Sequence, residues 1–363
     1  MGIARELAVA TALSTETSES VDLYDVFEQS LAQFAATPKQ LFIACLGGGA
    51  DSQTILDLLD RYRQANPCAR FLAIHLDHQF HPDSGAWAAS LEADCARRQF
   101  PYYGEVIEVA VNARASKEAQ GREHRYQRLR ELALEYNMRW GCSEPPVLLL
   151  GQHRNDQIET FLLQLKRGAG PRGLAAMASR REDIQATTPI HFVRPLLQVS
   201  KAQIYAYAKQ FQLHWVEDET NYDRSIDRNY FRHEVIPLIE QRWPHFGDAV
   251  LRSARLCAEQ QQLLDELLAR DVAEHIDASG ALAIGWLEQA SATMQRAVLR
   301  YWLQQLGTAM PSYAQLEQLR EQMLASENDR KPVVSWGNFQ VERINQPRKN
   351  RRLVVTQLEA TKA

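Results

Sequence analysis

Three glycines, Gly47, Gly48 and Gly49, stand just before Asp51 and Ser52, and this set of residue types suits a phosphate-binding loop. Glycines let backbone N–H groups approach a phosphate, and the N-terminus of a following helix attracts its negative charge. Ser52 adds a hydroxyl donor, whereas a carboxylate repels a polyphosphate unless a cation lies between them. Asp51 therefore predicts Mg²⁺. The stretch has neither the Lys-Ser or Lys-Thr pair of a Walker A loop nor a G-x-G-x-x-G fingerprint.

A second candidate group follows the apolar run "PPVLLLGQH", which ends at His153. Asp156 and Glu159 are three residues apart, so on a helix they share one face and can jointly hold an ammonium group. The basic, glycine-rich stretch "KRGAGPRG" from Lys166 suits an RNA backbone or a triphosphate.

The elements that must position these residues alternate along the chain. Strands are predicted in "KQLFIACL", "ARFLAIHLDH", "YYGEVIEVAV" and "PPVLLLGQH", with amphipathic helices between them. This alternation predicts an α/β fold with a parallel sheet covered by helices on both faces. Ligands of such sheets bind beyond the carboxyl ends of the strands, where all the candidate motifs fall.

A chain of 363 residues is too long for one typical core. We predict a flexible extension over residues 1–21, the α/β domain over 22–225, a mainly helical domain over 226–345 and a tail over 346–363. One or two strands are expected near the end of the helical domain, in "KPVVSWGNFQVERINQ".

Composition limits the functional classes. The net charge of −4 gives no global basic field, so charge alone leaves RNA binding undecided. Five cysteines without a C-x-x-C pair favour a reducing cytoplasm and argue against disulfides, zinc or an iron–sulfur cluster. No apolar run approaches the roughly 18 residues of a membrane span, so we expect no membrane association.

Two motifs resemble those of known families. "GGGADS" is similar to the S-G-G-x-D-S pyrophosphate loop of N-type ATP pyrophosphatases, and "GQHRNDQIETFLLQLKRGAGPRGL" resembles the H-x-D-D-Q-x-E-T segment and K-R-G-x-G-x-x-G-L loop of tRNA(Ile)-lysidine synthetases. Further matches lie in family order, among them "AIHLDHQF", "SKEAQGREHRY", "WVEDETN" and "DRNYFRHEVIPLI". The resemblance covers nearly all of residues 22–345.

The resemblance implies a PP-loop ATPase fold of the adenine nucleotide alpha hydrolase type and a carbon–nitrogen ligase that acts on tRNA. Such an enzyme uses ATP and Mg²⁺ to adenylate the C2 carbonyl of the wobble cytidine. The ε-amine of free L-lysine then displaces AMP and leaves lysidine. The implied partner is tRNA(Ile) with a CAU anticodon; whether the chain forms a homodimer stays open.

The resemblance also assigns roles to individual residues. The residues implied to bind ATP are Gly47, Gly48, Gly49, Asp51, Ser52 and His78, and Asp51 would also bind Mg²⁺. Lysine would be bound by Asp156 and Glu159, and catalysis would depend on Asp51, Asp156 and Arg122. The residues implied to bind tRNA are Arg125, Lys166, Arg167 and Arg172.

Departures from the family pattern fall at three places in the predicted site. Gly47 replaces Ser, Asp77 and Gln79 flank His78 where the family has His-His-Gly, and Asn155 replaces the first Asp of the Asp-Asp pair. Two alternatives therefore stay open: a degenerate paralogue that binds tRNA or nucleotide without catalysis, and a related ligase with another amine or RNA. Larger family members also carry a second C-terminal domain that reads the acceptor stem, which we expect this chain to lack.

Overall fold

The computed structural model describes residues 22–107, 117–183, 188–324, 332–346 and 350–358. By their internal contacts the residues form two compact units. The first comprises Met1–Ala169 and Ala176–Ser253, and the second comprises Gly170–Ala175 and Ala254–Ala363. The predicted extension over residues 1–21 lies outside the described residues.

The secondary structure alternates in the first unit and is mixed in the second. The strands are β1 Leu41–Leu46, β2 Arg70–Asp77, β3 Tyr102–Val106, β4 Val147–Leu149, β5 Arg180–Asp183, β6 Ile190–Val193, β7 Leu282–Ala283, β8 Val333–Trp336, β9 Phe339–Gln346 and β10 Asn350–Gln357. The α-helices are α1 Leu23–Leu31, α2 Ala50–Ala65, α3 Ser84–Arg97, α4 Lys117–Arg139, α5 Arg154–Lys166, α6 Pro171–Leu174, α7 Lys201–Gln210, α8 Asp227–Tyr230, α9 Ile236–Arg242, α10 Phe246–Ala273, α11 Ala292–Gln305 and α12 Tyr313–Leu324.

The first unit contains a six-stranded sheet in the order β3-β2-β1-β4-β6-β5. All neighbouring strands are parallel except the edge pair β5–β6, which is antiparallel. The prediction of a mostly parallel α/β sheet is therefore confirmed. Four of the six strands were predicted from the sequence, and β5 and β6 were not.

Both faces of the sheet are buried, which explains the uninterrupted apolar run of β1. Phe42 and Ala44 belong to one hydrophobic cluster, and Leu41 and Ile43 belong to another. Successive side chains of a strand point to opposite faces, so these two clusters lie on the two sides of the sheet. The strand ends that carry the predicted motifs are thereby held in a rigid frame.

A helical segment that follows the sheet packs against α5. It consists of a 3₁₀ turn Glu219–Tyr222, then α8, a π-helical turn Phe231–Val235, α9 and the start of α10. Ile236 and Val250 form a hydrophobic cluster with Ile158 and Leu162 of α5. The first compact unit therefore extends beyond residue 225, the boundary that the composition suggests.

The second unit combines helices with an antiparallel sheet in the order β7-β10-β9-β8. Trp302, Leu319 and Val341 are fully buried members of its core. The predicted helical C-terminal region and the strands in "KPVVSWGNFQVERINQ" are confirmed. Residues 350–357, which we predict as tail, form β10 instead, because they pair along the full length of β9. No helix among the residues that the structure describes is long and apolar enough to cross a membrane.

Candidate active site

The glycine loop joins β1 to α2 in the geometry that a phosphate site needs. Gly48 has φ = +90°, a conformation that L side chains rarely adopt, and Gly49 is the N-cap of α2. The Gly48 carbonyl accepts a hydrogen bond from the Val216 amide at 3.0 Å. The Ser52 hydroxyl donates to the Gly49 carbonyl at 2.9 Å, which holds it at the start of the helix. The loop therefore lies at the positive end of a helix of 16 residues.

Asp51 lies in the first turn of α2, close to His153 and, through it, to Asp156 of α5. His153 Nε2 is 3.6 Å from Asp51 Oδ2 and 3.5 Å from Asp156 Oδ2. The chain before His153 passes close to the start of α2: a Cβ on Gly151 would lie 3.1 Å from the Asp51 backbone carbon, so a larger residue here would crowd that backbone. The structure thus brings the residue predicted for the metal and one predicted for lysine onto the same imidazole.

The Asp51 carboxylate is poorly compensated in the ligand-free protein. Its Oδ1 atom is buried and has no hydrogen-bond partner among the described residues. Burial raises the pKa of Asp51 above its usual 3.8, Asp156 adds to this effect, and His153, Lys201 and Arg232 oppose it. A buried oxygen of this kind costs free energy until a cation or donor meets it.

Glu159 is held by arginines of the following helical segment. Its side chain is only 1% exposed. Arg232 donates to both of its oxygens, from Nε at 2.6 Å and from Nη2 at 2.9 Å. Arg228 lies farther away, with Nη1 at 3.4 Å from Glu159 and 3.6 Å from Asp156. Asp156 is the more accessible of the two acids, with 14% of its side chain exposed.

The end of β2 carries a second group of predicted residues. Asp77 accepts a hydrogen bond from the Gln79 amide at 2.7 Å, and Gln79 has φ = +53°. Arg125 Nε donates to His78 Nε2 at 2.9 Å. Burial and the Arg125 guanidinium lower the pKa of His78 to about 4, so this imidazole is neutral at neutral pH. His75 pairs with Leu46 in the parallel ladder, so the residues after Asp77 lie beside the glycine loop.

The departures from the family pattern have local explanations. Asn155 Oδ1 accepts the Lys201 amide at 3.0 Å and so helps to cap α7. Asp77 closes the turn at Gln79, whose left-handed backbone is the conformation for which the family's glycine is suited. Gly47 is exposed, and a Cβ added to it would meet no atom within 4 Å. Asp77 and Asn155 therefore each accept a hydrogen bond from a backbone amide.

The other residues predicted for tRNA or catalysis are each exposed or paired with an acidic side chain. Arg122 is exposed and its guanidinium lies 5.1 Å from the centre of the Tyr126 ring. Lys166 pairs with Asp227 at 2.5 Å, and Arg167 is exposed at the end of α5. Arg172 belongs to the second unit, where it pairs with Asp265 at 2.6 Å.

The acidic side chains near the glycine loop suit the predicted Mg²⁺ only as an ion that is bound together with a polyphosphate. Among the residues that the structure describes, no group of three or more His, Cys, Asp or Glu side chains could hold a metal. Mg²⁺ bound to a polyphosphate takes most of its ligands from phosphate and water and needs only one or two carboxylates. Asp51, with its unpaired oxygen beside the glycine loop, fits that requirement.

Sequence reasoning missed the arginines that hold Glu159. Arg228 and Arg232 are four residues apart in "DRNYFRHE", as positions on one helix face are, and Asp156 and Glu159 are three apart. An acidic pair and a basic pair, each at helical spacing, could have predicted that the two pairs form salt bridges with each other.

Comparisons with known proteins agree with this architecture. The model of the PP-loop domain matches residues 23–239, and that of the TilS substrate binding domain matches residues 282–346. The tRNA(Ile)-lysidine synthase of Idiomarina loihiensis is 50% identical over 319 residues, which cover 88% of this chain and 68% of that protein. The protein of the same name from Serratia proteamaculans is 39% identical over 313 residues, which cover 86% and 68%. That from Vibrio vulnificus strain CMCP6 is 38% identical over 326 residues, which cover 89% and 71%. The chain spans about two thirds of the length of these relatives.

Proposed function

We propose that the chain is an ATP-dependent ligase, because it belongs to the tRNA(Ile)-lysidine synthase family, as its motifs predict. It joins free L-lysine to the wobble cytidine of an isoleucine tRNA with a CAU anticodon. The products are lysidine in the tRNA, AMP and pyrophosphate.

One observation carries this proposal: Asp51 and Asp156 flank the same buried imidazole. Their Oδ2 atoms lie 3.6 and 3.5 Å from His153 Nε2, and Asp51 stands directly after the glycine loop. The proposed sites for polyphosphate and for an ammonium ion are therefore separated by one side chain. A reaction that joins an ATP-activated carbonyl to an amine requires this proximity.

In this proposal ATP lies on the glycine loop. Backbone N–H groups of Gly47, Gly48 and Gly49 would donate to its phosphates, and the Ser52 hydroxyl would turn from the Gly49 carbonyl to do the same. Asp51 would hold Mg²⁺. When bound, the metal neutralises charge on the polyphosphate. His78, neutral and fixed by Arg125, is assigned to the nucleotide side, next to the loop.

Lysine is assigned to Asp156, the more accessible acid. Glu159 is already neutralised by Arg232, so its contribution is to fix that guanidinium beside Asp156. The assignment of lysine to both acids, which the spacing predicts, thus becomes a direct contact with Asp156 and an indirect one with Glu159.

The chemistry requires positioning and charge stabilisation more than acid–base catalysis. The cytidine C2 oxygen attacks the α-phosphorus and pyrophosphate leaves. The lysine ε-amine then attacks C2, AMP leaves with that oxygen, and the amine loses its protons to solvent. Arg122 is assigned to the phosphate or cytidine, and Arg125, Lys166, Arg167 and Arg172 to the tRNA. We assign the protein to the cytoplasm, where tRNA is modified; the question of a homodimer stays open.

Mass spectrometry of isoleucine tRNA after incubation with ATP, Mg²⁺ and lysine tests the proposal. We expect the wobble nucleoside to gain one lysine less one water. Asp51→Ala should abolish the product. Asp25→Ala, which removes an exposed aspartate from the first turn of α1, is the matched control and should leave it unchanged. An unmodified tRNA with a wild-type protein that still binds ATP would favour the degenerate paralogue, and a different mass gain would favour another amine.

A further inference from the structure

We propose that Phe80 is a stacking platform for an unpaired base of the RNA substrate. This inference rests on the proposed function and adds a binding residue to it. Phe80 follows the end of β2, and 54% of its side chain is exposed. Exposed aromatic rings on which bases stack are a common device of proteins that bind single-stranded nucleic acid.

The ring is held in place rather than loosely attached to the surface. It stacks on His78 with ring centroids 5.2 Å apart and an interplanar angle of 21°. Arg125 Nε donates a hydrogen bond to Nε2 of that imidazole, which fixes its orientation. The edge of the Phe80 ring lies against α4, because a Cβ on Gly121 would be 3.0 Å from its Cε2 atom. A pre-ordered ring loses little entropy when a base stacks on it.

The surroundings favour RNA over the adenine of ATP. Arg122 follows Gly121 on α4 and is exposed, so it can reach phosphates of an RNA backbone, and Arg125 adds positive charge beside His78. A small-molecule site buries most of its ligand, whereas more than half of the Phe80 side chain is exposed. Sequence-specific recognition of RNA uses splayed-out bases stacked on aromatic or guanidinium planes.

The test measures two affinities separately. The probes are an RNA hairpin with the CAU anticodon loop, without ATP or lysine, and ATP without RNA. Phe80→Ala should weaken hairpin binding about tenfold and change ATP binding by less than about twofold, because one base–aromatic stack accounts for such a loss. Phe80→Trp should retain hairpin binding. Phe211→Ala is the matched control, since Phe211 is 43% exposed and packs on Tyr207 and Arg61 instead.

Gly121→Ala provides a second test that removes no aromatic ring. Alanine favours a helix over glycine, so this variant should be at least as stable as the wild type. Its methyl group should displace Phe80 and weaken the hairpin affinity, but only while Phe80 is present. If Phe80→Ala and the wild type bind the hairpin equally well while the wild type forms lysidine, the stacking role of Phe80 is wrong and the proposed function still holds. A loss confined to ATP would overturn it in favour of the adenine.

Discussion

Replacing Arg232 with glutamine should destabilise the first unit strongly. Arg232 makes two short bonds to Glu159, at 2.6 and 2.9 Å, and a longer one to Asp156 at 3.4 Å. Glu159 is 1% exposed, so its charge would remain buried without its principal partner. Removing one partner of a buried ion pair costs about 3–5 kcal/mol. Arg228 lies close enough to offset part of that cost, so we expect about 3 kcal/mol.

Arg228→Gln is the matched control. Arg228 is 32% exposed and no closer than 3.4 Å to either acid, so its loss should cost at most about 1 kcal/mol. Urea unfolding followed by circular dichroism gives the two values, and hydrogen exchange of α5 assigns the loss to the first unit. The double variant Glu159→Gln/Arg232→Gln should lose less than the sum of the single changes, because it buries no unpaired charge. Equal effects of the two arginine variants would refute this reasoning.

Three further predictions concern single positions. Asp51→Asn should stabilise the ligand-free protein at neutral pH while it abolishes activity. The folded-state pKa of Asp51 is raised, so its ionised form opposes folding. The gain in the free energy of unfolding, measured with urea, should therefore grow as the pH rises above 3.8. A gain that shrinks with rising pH would contradict this sign. Gly47→Ser should accelerate ATP–pyrophosphate exchange by about tenfold, because a hydrogen bond to a charged group contributes about 1.5–3 kcal/mol and the new side chain meets no atom within 4 Å; an unchanged rate would place Gly47 beyond reach of the phosphates. Gln79→Gly should raise the free energy of unfolding by about 0.5–1 kcal/mol through relief of its left-handed backbone, while Gln79→Ala, which keeps the Cβ, should not.

The sequence predicted the parts of the fold that depend on local pattern. β1 and β2 are continuous apolar runs because both faces of the sheet are covered, so they can be recognised without a partner. β5 could not: "RRED" has no apolar alternation, and it is a strand only because β6 pairs with it. β10 was missed for the same reason, since "NRRLVVTQ" resembles part of a basic tail until β9 lies beside it.

The candidate site was predictable to a similar extent. The glycine loop, Asp51 and Asp156 were found from residue type and spacing. What the spacing could not give is how much charge is already neutralised, because Arg232 reaches Glu159 from a segment distant in the chain. The cap that Asn155 provides for α7 was hidden for the same reason, and a substitution that looks like the loss of a carboxylate is also a helix cap.

The hydrogen bond from Val216 to the Gly48 carbonyl bears on cooperativity between substrates. Val216 leads into the segment that carries Arg228 and Arg232 to the acids of α5. A glycine loop that shifts when ATP binds would therefore move the chain that sets the charge around Asp156. Thermodynamic linkage is reciprocal, so lysine would change the affinity for ATP by the same factor by which ATP changes the affinity for lysine. In this arrangement one backbone hydrogen bond between the loop and its neighbour would couple the affinities for the two small substrates.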